Sequence, residues 1–226
     1  MEFERINTHD DVHGGSAADD GLRARRKRAT RDALGESALQ LFAARGFDAV
    51  AVEEIAAAAG VSRRTFFRYF PSKEAAFFAE QERRLDDFRA TLRAQADQDA
   101  PTVSIRRAAL QMAAVYETER SSVLREHRMM IASTSLHAYD AQLDGRWEAA
   151  LRDALLADGA DPLDAVTSAG AVLGVMRAVL RDWFESEGAF DLRVRGIDIL
   201  QRLSPLLDAV ATRTRSARDA APPRPS

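Results

Sequence analysis

The 226-residue chain contains no cysteine, which excludes disulfide bonds and thiolate metal sites. It has only two lysines, Lys27 and Lys73, so nearly all of its positive charge is carried by arginine. No apolar run reaches the roughly 18 residues that a membrane-spanning helix needs, and the first residues lack the pattern of a signal peptide. These absences predict a cytoplasmic protein that does not enter a membrane.

Proline is also scarce, with only four prolines between Gly21 and Thr214, and the long stretches between them repeat apolar residues every three or four positions. This spacing is typical of amphipathic helices and not of strands, so the predicted fold class is all-α. Residues 1–21 and 215–226 have no such periodicity, and we expect both segments to be disordered.

The charge is unevenly distributed, although the net charge is only −3. Residues 1–20 hold six acidic residues against one arginine, whereas residues 21–75 hold eleven Arg or Lys residues against six acidic ones. Positive charge concentrated in one segment is typical of a surface that faces phosphates. A solvated charge run has the same composition, so contact of Arg25 and Arg26 with DNA and simple solvent exposure both stay open for the basic segment.

Turn signals divide residues 22–75 into short helices. Gly46 ends a helix that begins at about Arg25, and Gly60 ends a second helix that begins at Val52. Ser62 is a good N-cap for a third helix, which Pro71 stops. A long helix is expected over residues 73–95. Two short helices joined by a glycine-containing turn form a helix-turn-helix unit.

Residues 46–74 read GFDAVAVEEIAAAAGVSRRTFFRYFPSKE. This run resembles the DNA-binding segment of the tetracycline-repressor (TetR) family over nearly its whole length. The resemblance implies a bacterial transcriptional regulator that binds double-stranded operator DNA as a homodimer. It also implies a helix-turn-helix domain over 22–75 and a ligand-binding and dimerisation domain over 76–214.

The third helix would supply the residues that contact DNA. Arg63 and Arg64 are the candidates for base reading, because arginine can bind guanine with two hydrogen bonds. By resemblance, Thr65, Phe67, Tyr69 and Lys73 match positions that contact backbone phosphates or thymine methyl groups. The outward Arg68 and the capping Ser62 complete the predicted set. Phe66 and Phe70 are four residues apart and are expected to be core.

Two positions depart from the family pattern. Phe67 stands where a tyrosine is usual, so a hydroxyl contact to phosphate is lost. Ala51 stands where a threonine usually caps the second helix. Loss of that cap is expected to cost about 1 kcal/mol of helix stability, so the start of the helix should be less rigid.

From Pro101 onward the pattern predicts a helical bundle over residues 102–119, 122–133, 136–157, 162–187 and 191–213. The helix over 162–187 is apolar on more than one face, as expected of a helix shared between a core and a dimer interface. By resemblance, the last two helices form that interface.

The bundle should also hold an effector. A loose resemblance to the subgroup of mycofactocin-system regulators implies a largely apolar, acyl-CoA-like molecule. Adaptable methionines, aromatic residues and polar groups in the bundle are the pocket candidates. They are Met112, Tyr116, His127, Met130, Ile131, Thr134, His137, Trp147, Met176, Arg177 and Trp183. Taken alone, each of them is more often a core residue, or for Arg177 a partner in an internal ion pair, than a ligand contact.

The sequence shows no convergent set of catalytic groups, no metal-ligand spacing and no phosphate-binding glycine loop, so we expect no enzyme activity, metal or cofactor. Two other interpretations remain: an all-α enzyme with a helix-turn-helix-like segment, and a helical interaction module or architectural DNA binder without an effector.

Overall fold

The computed structural model describes residues 15–94 and 101–202. Within these ranges the secondary structure is helical, which confirms the all-α prediction. The helices are α1 (Gly15–Arg45), α2 (Val52–Ala58), α3 (Arg63–Tyr69), α4 (Lys73–Phe77), α5 (Ala79–Arg93), α6 (Pro101–Thr118), α7 (Arg120–Ala132), α8 (Thr134–Ala157) and α9 (Pro162–Glu185). A further helical segment over 192–202 reaches the end of the described residues. The predicted arm over 1–14, the last part of the predicted final helix and the predicted tail lie outside them.

The N-terminal boundary was predicted wrongly, because residues 15–21 belong to α1 and not to a disordered arm. An ion pair between Asp19 and Arg23, one helical turn apart and 2.7 Å long, supports the added turns. The sequence predicted an arm because residues 15–21 are polar and acidic and lack an apolar face that a helix could bury.

The predicted single helix over 73–95 is divided at Phe78 into α4 and α5. No glycine or proline marks the break. The Phe78 side chain is fully buried, and its ring stacks on that of Tyr139 in α8 with 5.1 Å between centroids. The buried Phe78 side chain thus packs against α8 at the point where α4 passes into α5.

Two apolar cores organise the molecule. The first lies between α1, α2, α3 and α4 and includes Phe42, Ile55 and Phe66, but it also takes in Leu136 and Leu143 of α8. The second lies between α5, α6, α7, α8 and α9. Because α8 contributes to both cores, the helix-turn-helix region is packed directly on the larger bundle.

Gly35 lies inside α1, where glycine costs about 1 kcal/mol relative to alanine. A Cβ atom at this position would lie 3.4 Å from the Cβ of Ala79. The glycine thus stands where α1 and α5 approach closely.

Among the described helices, α9 is long and apolar enough by length and composition to cross a membrane. Its Ala165, Ala169, Val172 and Trp183 are buried within the second core. A core helix of a bundle passes the same test of length and hydropathy.

Candidate DNA-binding surface and effector cavity

The turn between α2 and α3 has the geometry that the sequence predicted. Gly60 adopts a φ of +68°, in the left-handed region that favours glycine. The Val61 amide donates to the carbonyl oxygen of Ala56 over 2.9 Å. The Ser62 hydroxyl accepts a hydrogen bond of 3.1 Å from the Thr65 amide and so caps α3.

Phe66 and Phe70 anchor α3 to the first core, as predicted. Their side chains are 0% and 1% exposed, and their ring centroids are 5.8 Å apart. The Arg31 guanidinium of α1 lies 4.7 Å from the centre of the Phe70 ring. With one face of α3 fixed in this way, the opposite face is presented to solvent.

The outward face of α3 carries cationic and aromatic groups. Arg63 lies 5.3 Å above the ring of Phe67, and its Nε is 2.9 Å from a carboxylate oxygen of Glu53 in α2. Phe67 is 43% exposed, and the side chain of Arg64 is also exposed. Within the described residues no ion pair or hydrogen bond engages the Arg64 guanidinium. The Arg63 guanidinium thus has an ion-pair partner and a ring contact at the surface, while its side chain is 64% exposed.

Thr65 and Tyr69 lie on the flanks of this face and are half-buried. The Thr65 hydroxyl is 3.0 Å from the hydroxyl of Ser62, so it takes part in the cap. The guanidinium of the exposed Arg68 lies 5.2 Å from the centre of the Tyr69 ring. Both hydroxyl residues are close enough to the surface to contact a DNA backbone.

Lys73 has a structural role that the sequence did not indicate. Its Nζ donates hydrogen bonds to the carbonyl oxygens of Phe47 (2.8 Å) and Val50 (3.1 Å). The ammonium also lies 4.2 Å from the centre of the Phe47 ring. Lys73 was expected to contact phosphate, but here it ties α4 to the connection between α1 and α2.

The missing threonine cap of α2 is replaced by a different arrangement. Glu54 accepts a hydrogen bond from the Ala51 amide over 2.9 Å and another from Arg45 over 2.6 Å. Arg45 also donates to the carbonyl oxygen of Ala49. The hydrogen bond from Arg45 is the main cause that lowers the pKa of Glu54, so the carboxylate form holds this helix start at neutral pH.

Arg25 and Arg26 lie in the exposed early turns of α1 and are helical, not part of a flexible arm. Arg25 precedes Leu34, the first buried residue of α1, by nine positions, or about 13 Å along a helix axis. The basic segment is thus an exposed helical part of α1 that lies before Leu34.

The second core contains an apolar cavity of about 50 Å³ between α6, α9 and the segment 192–202. Three predicted pocket residues line it: Met112, Tyr116 and Met176. Two others lie just behind Tyr116. The Trp183 ring is 6.2 Å from the Tyr116 ring, and His127 stacks on Phe184, which also contacts Tyr116.

The remaining pocket candidates lie elsewhere. Met130 packs against the first core, and Ile131 is 60% exposed. Thr134 and His137 are exposed in the first turn of α8, and Trp147 packs on Phe88. Met130, Ile131, Thr134 and His137 do not line the cavity, because α7 and the start of α8 place them at the junction with the first core or at the surface. Trp147 packs against the second core but is not part of the cavity lining.

Arg177 forms an ion pair of 2.8 Å with Asp144 of α8, so its anionic partner is internal. Its Nε is nevertheless buried without a hydrogen bond in the described residues.

A buried polar group beside Tyr116 was missed by sequence reasoning. Arg84 of α5 is 3% exposed, its Nη2 donates to Glu119, and its guanidinium carbon lies 5.2 Å from the Tyr116 ring centre. Burial raises the pKa of Glu126, which accepts a hydrogen bond from Ser122. In the sequence Arg84 resembles any charge on a solvated helix face, and no local signal distinguishes it.

Glu82 of α5 joins the two parts of the molecule. Its carboxylate accepts hydrogen bonds from Arg31 of α1 (3.0 Å), and from Tyr139 (3.1 Å) and Arg146 (2.9 Å) of α8. These partners are 51 to 64 positions from Glu82 in the sequence, so residue spacing could not predict the three hydrogen bonds.

Residues 35–79 match the model of the bacterial regulatory proteins of the tetR family. The chain is 28% identical over 190 residues to the mycofactocin biosynthesis transcriptional regulator MftR of Mycobacterium tuberculosis. The alignment covers 79% of this chain and 96% of the relative. It is 56% identical over 54 residues to the regulator TcmR of Streptomyces glaucescens, or 24% of each chain.

Solved structures share the fold over most of the chain. NalD of Pseudomonas aeruginosa, the secondary repressor of the MexAB-OprM efflux pump, aligns with a TM-score of 0.56 and 18% identity over 79% of this chain and 96% of its own. A TetR-family regulator from Streptomyces coelicolor A3 aligns with a TM-score of 0.57 and 20% identity, over 81% of this chain and 94% of that one. The match to the tetR family model over residues 35–79, the similarity to MftR along the chain and this shared fold together support a TetR-family transcriptional regulator.

Proposed function

We propose that this regulator is a repressor that binds a palindromic operator as a homodimer and is released by a small, largely apolar effector. The observation that carries the DNA-binding part is α3, a capped helix fixed by two buried phenylalanines. Its opposite face presents Arg63, Arg64 and Phe67 to solvent. Such a helix can enter a major groove.

Within this proposal Arg63 and Arg64 read bases, and Thr65 and Tyr69 contact the backbone. Arg63 already contacts Glu53 and Phe67, so less side-chain freedom is lost when it binds a guanine. Ser62 and Arg68 support the same surface, and the basic extension with Arg25 and Arg26 adds attraction for flanking phosphates. Lys73 is not included among the proposed DNA contacts, because its ammonium donates hydrogen bonds to two carbonyl groups of the protein.

The dimer interface is proposed on α9 and the segment 192–202. Large apolar residues are exposed there, with Leu163 at 71%, Val166 at 45%, Val194 at 64% and Ile197 at 37%. A second copy related by two-fold symmetry would cover them and would place two copies of α3 on a palindromic site. We expect a dimer in sedimentation at micromolar concentration, and a monomer would contradict this part.

The effector is proposed to bind in the second core, where adaptable Met112 and Met176 border the apolar cavity. An acyl-CoA-like identity follows only from the resemblance. One solved structure of similar fold, FadR of Bacillus subtilis, holds stearoyl-CoA, but its 14% identity supports the fold alone. We further propose that the protein acts in the cytoplasm and catalyses no reaction.

Selection from randomised duplex DNA tests the central claim. The wild type should enrich a palindrome, and Arg63→Ala or Arg64→Ala should lower discrimination at one base pair of each half-site by roughly 5- to 100-fold. Arg152→Ala, which removes an exposed arginine of α8, is the matched control and should leave discrimination unchanged. Salt-dependent binding without any enriched sequence would favour an architectural DNA binder instead.

A further inference from the structure

Three nitrogen donor atoms in the second core are buried without a hydrogen-bond acceptor among the described residues. They are Nε and Nη1 of Arg84 and Nε1 of Trp183. Arg84 is 3% exposed and Trp183 is fully buried. Buried donors are nearly always paired in native proteins, and residues 15–94 and 101–202 place no acceptor within hydrogen-bond distance of these three atoms.

Tyr116 connects these donors with the apolar cavity. Its ring lies 5.2 Å from the Arg84 guanidinium carbon and 6.2 Å from the Trp183 ring. The same side chain forms part of the cavity wall, together with Met112 and Met176. An apolar space and a set of unused donors therefore meet at one aromatic residue, and the flexible methionines allow the space to enlarge.

The surrounding charges select the kind of acceptor. Glu119 already accepts from Arg84, and a Glu80 oxygen lies 3.7 Å from Arg84 Nε, so the charge of the guanidinium is matched by carboxylates of the protein. Glu126 adds a third carboxyl group nearby. A ligand carboxylate would be repelled by these acidic groups. A ligand cation would be repelled by the unpaired N–H donors. An uncharged oxygen acceptor satisfies both conditions.

We propose that the effector is an uncharged, largely apolar molecule with a carbonyl group. Its oxygen accepts hydrogen bonds from Arg84 and Trp183, and its apolar body fills the cavity between α6, α9 and the segment 192–202. This inference rests on the proposed function, since it assigns the effector class and the residues that recognise it.

The test compares three nine-carbon probes that differ in their polar group: 2-nonanone, nonanoate and nonylammonium. Affinities for the full-length protein are measured by isothermal titration, with ligand-induced shifts of the unfolding temperature as a second readout. We expect 2-nonanone to bind about ten-fold or more tightly than either charged probe. Trp183→Phe and Arg84→Met should each weaken ketone binding roughly five- to ten-fold, about the effect of one lost hydrogen bond.

The matched control is Arg152→Met, which replaces an exposed arginine and should leave all three affinities unchanged. Trp183→Phe keeps an aromatic ring in the core, so it serves if Arg84→Met does not fold by circular dichroism. Equal binding of the three probes, absence of ketone binding, or full ketone affinity in Trp183→Phe would overturn the proposal. A preference for nonanoate would also overturn it, and would point to the surface groove that Arg106, Arg107 and Arg193 line.

Binding of each protein to the selected duplex is measured without probe. If duplex binding is intact while no ketone preference is found, only the effector assignment fails. If the wild type selects no duplex, the proposed function itself fails.

Discussion

Replacing Lys73 by methionine separates a structural role from a DNA-binding role. The ammonium donates to the carbonyl oxygens of Phe47 and Val50 over 2.8 and 3.1 Å. Buried hydrogen bonds to a charged group each contribute about 1.5–3 kcal/mol, but Lys73 is half-exposed, so solvent replaces part of both. We therefore expect Lys73→Met to lower the free energy of unfolding by about 2 kcal/mol.

Urea unfolding at equal protomer concentration measures this change, because dimer stability depends on concentration. Lys27→Met is the matched control: this lysine is exposed in α1, and we expect a change of no more than about 0.5 kcal/mol. The salt dependence of binding to the selected duplex is measured in parallel. If Lys73→Met unfolded like the wild type and reduced the salt slope by about 0.9, the lysine would be a phosphate contact and the structural reasoning would be refuted.

Four further substitutions probe the fold by the same urea assay. Burial raises the pKa of Glu126, so its charged form destabilises the native state; Glu126→Gln should be more stable than the wild type at pH 8, and the difference should disappear as the pH falls through that raised pKa. An unchanged difference at every pH would contradict this. Gly46→Ala should cost about 1 kcal/mol because Gly46 has a φ of +82°, whereas Gly35→Ala should stabilise α1 by up to about 1 kcal/mol. If Gly35→Ala lost as much stability as Gly46→Ala, the close contact between position 35 and Ala79 would outweigh the gain in helix propensity. Glu82→Gln should cost about 1–2 kcal/mol, since three donors lose their anionic acceptor. No loss would mean that these contacts are replaced by water without penalty.

The helix-turn-helix was predictable from sequence because its signals are local. Gly60 and Ser62 fix a turn and a cap within a few residues, and the spacing of Phe66 and Phe70 identifies the buried face of α3. The division at Phe78 was not predictable, because no glycine or proline marks it and the ring that stacks on Phe78 belongs to Tyr139, 61 positions away in the sequence.

The candidate binding residues also divide into those that local sequence signals identify and those that depend on distant contacts. The exposed face of α3 could be read from helical periodicity, but the internal partners of Lys73 and the buried position of Arg84 could not. Charged side chains look alike in a sequence whether they face solvent or a core. Met130 was misplaced for a related reason, since an apolar residue on a helix does not reveal which of two cores it packs against. Ile131 is 60% exposed, which its apolar side chain did not indicate.

The participation of α8 in the first core affects how this regulator could be recombined with others. Leu136 and Leu143 complete the packing beneath the helix-turn-helix, and Tyr139 stacks on Phe78 at the same junction. A chimaera that joined residues 1–75 to the bundle of a TetR-family regulator would expose part of this core unless the equivalent of α8 in that bundle were complementary. Exchange of DNA specificity would therefore work best by grafting the outward residues of α3 alone, leaving the surface shared with α8 in its original form.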